Sequence, residues 1–207
     1  DGYKAGVSYF GNRIPEHFVQ RDLPDIVSHG CTYIVHTFSE NDLQHYAGAM
    51  KAMVAATHGA GLEVWLDPWG VGGVFGGEAY SDFVARNPDA LQVKRDGTTA
   101  PMVCINSFKF SEYMRGWVDA AAETGTDVVF WDEPHLYPGS EAGLINADWA
   151  CCCAVCEEMF HAKYSMPMPA ILTPEVVEFR EATVVGFLSK MCAYVKVQLM
   201  RNAVCLM

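Results

Sequence analysis

Apolar positions along the chain follow two rhythms in turn. Residues 5–10 (AGVSYF) form a short apolar run closed by Gly11, and residues 16–29 then place Phe18, Val19, Leu23, Ile26 and Val27 close to helical spacing. This predicts a strand and then a helix that ends at Gly30. Residues 32–38 (TYIVHTF) are β-branched and aromatic, as strands prefer. Residues 42–60 put Leu43, Tyr46, Met50, Met53 and Val54 on one helical face, and residues 62–66 (LEVWL) predict a third strand. The rhythm then breaks into a glycine-rich connection, 68–107, too long for an ordinary loop, with one short helix predicted over 80–86. Residues 110–123 are helical in pattern, and 127–131 (DVVFW) predict a fourth strand. A second excursion covers 133–173. Pro174 then stands at an N1 position and opens a helix over 175–198, and 202–207 (NAVCLM) reads as the beginning of a fifth strand.

Strands separated by helices long enough for crossovers predict parallel right-handed βαβ units, in an open doubly wound sheet or a closed β/α barrel. The first strand leads into GNRIP and not G-x-G-x-x-G, so a dinucleotide site is not supported. Polar and aromatic residues gather just past the strand ends: Tyr9 and Asn12, His36 and Glu40, Asp67 and Trp69, then Asp132, Glu133 and His135. In a barrel such positions ring one mouth, where barrel enzymes do their chemistry. The expected fold class is therefore α/β, a partial (β/α)8 barrel covering strands one to five, with long loops after strands three and four. A barrel of this kind usually needs roughly 250 residues. The 207 residues are accordingly read as the N-terminal part of a single catalytic domain, whose open edges would favour a homo-oligomer unless completed.

Composition narrows the partners. With 51% hydrophobic residues the chain can bury a core, and 14 basic against 25 acidic residues give a formal charge of −11, which argues against a nucleic-acid partner. No stretch approaches the roughly 18 unbroken apolar residues of a membrane span, so no membrane partner is expected. Compartment is not legible, although the reduced look of the cysteines leans towards a cytoplasm.

Two constellations carry chemistry. In Trp131-Asp132-Glu133-Pro134-His135, strand alternation turns one acid to the mouth while the other supports it. A glutamate on such a lip, among aromatics, suits a general acid and base; the plainer alternative is a pair of acids that merely ends a strand. Four of the eight cysteines, Cys151, Cys152, Cys153 and Cys156, lie within six residues, where neighbours pair poorly as disulfides. Cys104 lies in the preceding excursion and could meet them on one rim as a four-sulfur zinc site, with Cys152 pointing elsewhere. Buried free thiols or a redox centre are the alternatives.

The string Cys104-Ile105-Asn106-Ser107, a helix, a strand ending in an acid-Glu pair, and C-x-C-x-x-C leading into Glu157-Glu158-Met159-Phe160 and Lys163-Tyr164 resembles the glycoside hydrolase family 42 β-galactosidases and related clan A glycosidases. The resemblance implies a carbohydrate substrate, a structural zinc on Cys104, Cys151, Cys153 and Cys156, and Glu133 as the catalytic acid/base of a retaining glycosidase. It places the nucleophile on a seventh strand. Substrate-binding candidates are Asp132, Asp67, Trp69, His36, Tyr9 and His135, with Phe38 and Phe75 as further aromatics that could stack on a sugar. Two positions depart from the family: Asp132 stands where it has Asn, and Ala100 where it has Arg. Asp67 could make a wider, inverting pair with Glu133. A non-catalytic carbohydrate-binding protein on the same barrel is the alternative function.

Overall fold

The structure, a computed structural model, describes residues 3–137 and 149–205. Strand β1 (Gly6–Tyr9) is followed by α1 (Pro15–His17), a wide π turn over Phe18–Asp22 and α2 (Leu23–Ser28). The single helix expected over 16–29 thus changes pitch midway. Pro24 has no N–H to close an α turn onto residue 20, and the coil widens there. Strand β2 (Tyr33–Thr37) leads to α3 (Glu40–His45), opened by a capping box in which Ser39 Oγ accepts from the Asp42 amide while the Asp42 carboxylate accepts from the Ser39 amide. A break at Tyr46 separates α3 from α4 (Ala47–Gly59), and β3 (Glu63–Asp67) follows.

The first long connection has structure of its own: α5 (Asp82–Arg86) and an antiparallel pair, β4 (Leu91–Val93) with β5 (Thr99–Val103), turning at Gly97 in left-handed backbone. Then come α6 (Phe108–Thr124), a two-residue β6 (Val128–Val129), α7 (Ala154–Tyr164) inside the second excursion, and α8 (Pro174–Cys205). The expected fifth strand is a correction. The apolar run from residue 202 continues α8 through Cys205, because nothing breaks a helix before it.

The main sheet is parallel throughout, in the order β1-β2-β3-β6, so its neighbours follow chain order with only the β4–β5 pair set apart. Its two faces differ. Val64 and Leu66 pack with Met50 and Val54 of α4 and with Met114 and Trp117 of α6, while Tyr9 and Ile34 pack with Phe18, Leu23 and Met53. The Trp117 indole N–H donates to the Phe38 carbonyl at 2.9 Å and ties α6 to the sheet. Alternation sends the intervening side chains to the opposite face. There Tyr33 stacks on Trp65 with centroids 4.4 Å apart, and Phe130 lies 6.1 Å beyond at 36% exposure. The helices of the described residues therefore pack on one face, and the other carries the incompletely buried Tyr33, Trp65 and Phe130. Among the described residues, no helix is long and apolar enough to cross a membrane.

The glycine-rich loop that follows β3 is pinned by a buried carboxylate. Glu40 accepts from the Gly72 amide (2.9 Å), the Ser81 hydroxyl (2.6 Å) and the Phe83 amide (2.7 Å). Gly72 has φ +65, and a Cβ there would strike the Phe110 ring, so no other residue type fits this turn. Glu40→Ala leaves three donors without their acceptor. We expect a loss of roughly 3 kcal/mol in urea denaturation; a loss under about 1 kcal/mol would show that water replaces the carboxylate.

Candidate functional site

The four expected cysteines converge. Cys104 directly follows β5, Cys153 is the N-cap of α7, and Cys156 lies in that helix's first turn. The ligand sulfurs of Cys104, Cys151, Cys153 and Cys156 all lie within 4.8 Å of one another, with Cys104 Sγ 3.5 Å from Cys156 and 3.7 Å from Cys153. A tetrahedron with zinc–sulfur bonds of about 2.3 Å has edges of roughly 3.8 Å, so the cluster matches a four-thiolate metal site. Hydrogen bonding among the sulfurs holds Cys151 and Cys153 below the ordinary thiol range and pushes Cys104 and Cys156 above it. A metal ion held by all four sulfurs would take them as thiolates.

Its surroundings are equally specific. Asn106 Nδ2 donates to Cys156 Sγ at 3.3 Å, an outer hydrogen bond that nothing in the spacing of the cysteines foretold. The Cys152 amide donates to the Val93 carbonyl at 2.7 Å, joining this segment to β4, and burial pushes the Cys152 thiol up to about 11, so it remains a neutral side chain outside the cluster. Arg180 of α8 lies over the Trp149 ring, donates to the Tyr137 carbonyl and supplies positive charge beside the sulfurs.

The carboxylates meet at the C-terminal end of the open face. Asp67, level with Thr37 in the register and on the same side as Trp65, is 3% exposed, and its Oδ1 has no hydrogen-bond partner. Burial, reinforced by the charge of Asp132, pushes its carboxyl up to about 7. Asp132 shares the open face by alternation from Phe130, and its carboxylate occupies the space that a Cβ on residue 76 would need. Burial and then the Glu133 charge raise its pKa as well. Glu133 is exposed and held in left-handed backbone at φ 42, a conformation that costs a non-glycine residue about 1 kcal/mol. The ring of His135 bonds the Glu133 carbonyl at 2.7 Å and braces that turn. Trp69, whose amide donates to the Asp67 carbonyl, stacks on Phe10 with centroids 5.7 Å apart and planes 8° from parallel. Phe10 is 65% exposed, so a flat aromatic platform stands open beside the acids.

Five expected mouth residues are elsewhere: Glu40 is bound under the loop after β3, and parity explains two of the other four. Tyr9 and His36 have the helix-facing parity of their strands: the Tyr9 hydroxyl donates to Asp22 at 2.6 Å, and His36, fully buried, faces Thr57 Oγ1 at 3.1 Å. Phe38 and Phe75 fill the helix-side core. Arg13 was missed as an organiser of this end. Its Nε and Nη2 bind both Asp42 oxygens, the Thr37 carbonyl and the Thr37 hydroxyl, and Nη1 reaches the Gly11 carbonyl, so it braces this end of the sheet. Burial holds His36 near pKa 3, well below its ordinary value. The unfolded chain takes up the proton first as pH falls below about 6.5, so His36 destabilises the fold progressively from there towards 3. Asp67, whose carboxyl is raised to about 7, works in the opposite direction over the same range, so we expect the His36 contribution in the difference: the wild-type urea midpoint should fall relative to that of His36→Gln between pH 7 and 4, and parallel profiles would refute the assignment.

A hollow of about 480 Å³ lies between α3 and α5, and its guanidinium, Arg86, is already bound to Asp82 at 2.7 Å. No protein-family model matches the chain, and no curated protein matches it.

Proposed function

We propose that the chain is an arc of a β/α-barrel glycoside hydrolase in which Glu133 is the general acid and base. The observation that carries this reading is the position of Glu133: exposed, in strained left-handed backbone, at the C-terminal end of the fourth parallel strand, beside two further acids and a stacked aromatic platform. The one-sided helix layer supports the barrel. A doubly wound sheet carries helices on both faces, whereas a barrel turns one face inwards.

In this mechanism the Phe10–Trp69 stack receives the C–H face of a sugar. Glu133 gives its proton to the glycosidic oxygen and later takes one from water. His135 keeps the Glu133 turn in place. The second carboxylate of a retaining pair comes from a later strand, as the resemblance implies. Zinc is the metal we assign to Cys104, Cys151, Cys153 and Cys156, where it would act as a structural cross-link between the end of β5 and the start of α7.

The test is Glu133→Gln in the full-length protein, assayed on aryl and alkyl glycosides. Turnover should fall, most for the alkyl glycosides, while saccharide binding is retained; unchanged turnover removes Glu133 from the mechanism. Binding by wild type with no hydrolysis of any glycoside would favour a carbohydrate-binding protein instead.

A further inference from the structure

We infer that the mouth takes a sugar bearing a free ammonium group, an amino sugar without an N-acetyl cap, which Asp132 and Asp67 hold. This rests on the glycoside reading and names its substrate class.

The first reason is charge without compensation. Asp67, Asp132 and Glu133 gather at one strand end, and among the described residues none is in an ion pair with a lysine, arginine or histidine. Neither Asp67 nor Asp132 feels a cation; each is disturbed by burial and by another acid. Elsewhere the buried acids have partners: Arg13 pairs with Asp42, and Glu40 accepts three neutral hydrogen bonds. At the mouth that compensation is left open.

The second reason is independent of charge counting. Asp67 is 97% shielded and yet its Oδ1 bonds nothing, although a buried polar atom ordinarily finds a partner. An acceptor in that condition is matched by a ligand donor. An ammonium group offers three donors and a charge, which suits an unpartnered Asp67 oxygen together with the Asp132 carboxylate. A neutral hydroxyl would offer one donor and no charge. An acetamido group would replace the ammonium with one N–H and an added acyl group, leaving the acids unmatched, and sites built for a charged or hydrogen-bonding group reject analogues lacking it. The open Phe10–Trp69 platform adds to this, because aromatic faces attract cations as well as C–H faces.

The experiment is calorimetric titration of the full-length protein with three disaccharides in both gluco and galacto configurations: the free amino form, its N-acetylated form and the neutral parent sugar. The amino form should bind about tenfold or more tightly than the other two, the equivalent of one partly shielded ion pair. Its advantage should shrink with added salt and disappear in Asp132→Asn, while Glu158→Gln, an exposed acid on α7, should leave it unchanged. If Asp132→Asn does not fold, the salt series on wild type decides. Equal or tighter binding of the neutral or acetylated sugar overturns the inference and leaves the glycoside reading standing. An amino-sugar preference that Glu158→Gln also reduces is bulk attraction to a chain of charge −11, and it overturns the site. Binding of none of the sugars overturns both readings.

Discussion

On the proposed assignment of zinc to the four-cysteine cluster, Cys104→Ser is expected to lower bound metal from stoichiometric to trace levels and to destabilise the protein by about 4 kcal/mol or more, the scale of losing a structural metal. The size follows from what the cluster joins. Cys104 leaves the end of β5, Cys153 and Cys156 begin α7, and between them lie Trp149, Ala150, Phe160, Met168, Val176 and Phe179, a small core separate from the one under the sheet. Without a cation, four sulfurs this close cannot all be ionised, because like charges at this distance oppose one another. Serine in place of Cys104 removes a soft ligand and leaves three, which zinc in a structural site does not accept. Metal content by elemental analysis, with thermal unfolding before and after chelation, measures the effect. Cys152→Ser is the companion variant: its side chain lies outside the cluster, so metal is retained. Equal metal loss in both variants, or unfolding indifferent to chelation, would falsify the zinc assignment and return the cysteines to buried thiols.

On the proposed glycosidase reading, Glu133→Gln is expected to lower kcat by roughly 10²- to 10⁴-fold, the usual worth of a positioned general acid/base. The carboxamide keeps the shape and loses the transferable proton. The loss depends on the leaving group. An alkyl glycoside needs its oxygen protonated as the bond breaks and suffers most, whereas an activated aryl glycoside, whose phenolate leaves unaided, suffers least in the first step. A fall that is the same for both would make Glu133 a structural residue of the lip and move attention to Asp67, whose carboxyl titrates near neutrality.

How much of this was legible in the sequence differs by element. β1, β2 and β3 were legible because they are compact β-branched and aromatic runs with clear glycine stops. The run from residue 202 was misread as a strand, since a short apolar segment has no period of its own and only the helix before it decides its state. The cysteine site was legible from spacing, because ligand chemistry leaves a local signature. The mouth was legible only in part. Position after a strand end identified Asp67, Trp69, Asp132 and Glu133, but it could not separate the two parities of each strand, so Tyr9 and His36 were grouped with residues that face the other way. Glu40 and Arg13 were hidden for another reason: their roles depend on partners far along the chain, which no local pattern reports.

The loop after β3 is laced down before any ligand arrives. Glu40 holds it at Gly72, the Gly70 amide reaches the Gly76 carbonyl, the Gly76 amide reaches the Asp132 carbonyl, and the His135 amide reaches the Val74 carbonyl. Its ordering entropy is settled during folding, so on the glycoside reading proposed above encounter with a saccharide would need no closing step. Observed association rates should then rise linearly with saccharide concentration in a single phase, without the plateau that a slow lid imposes.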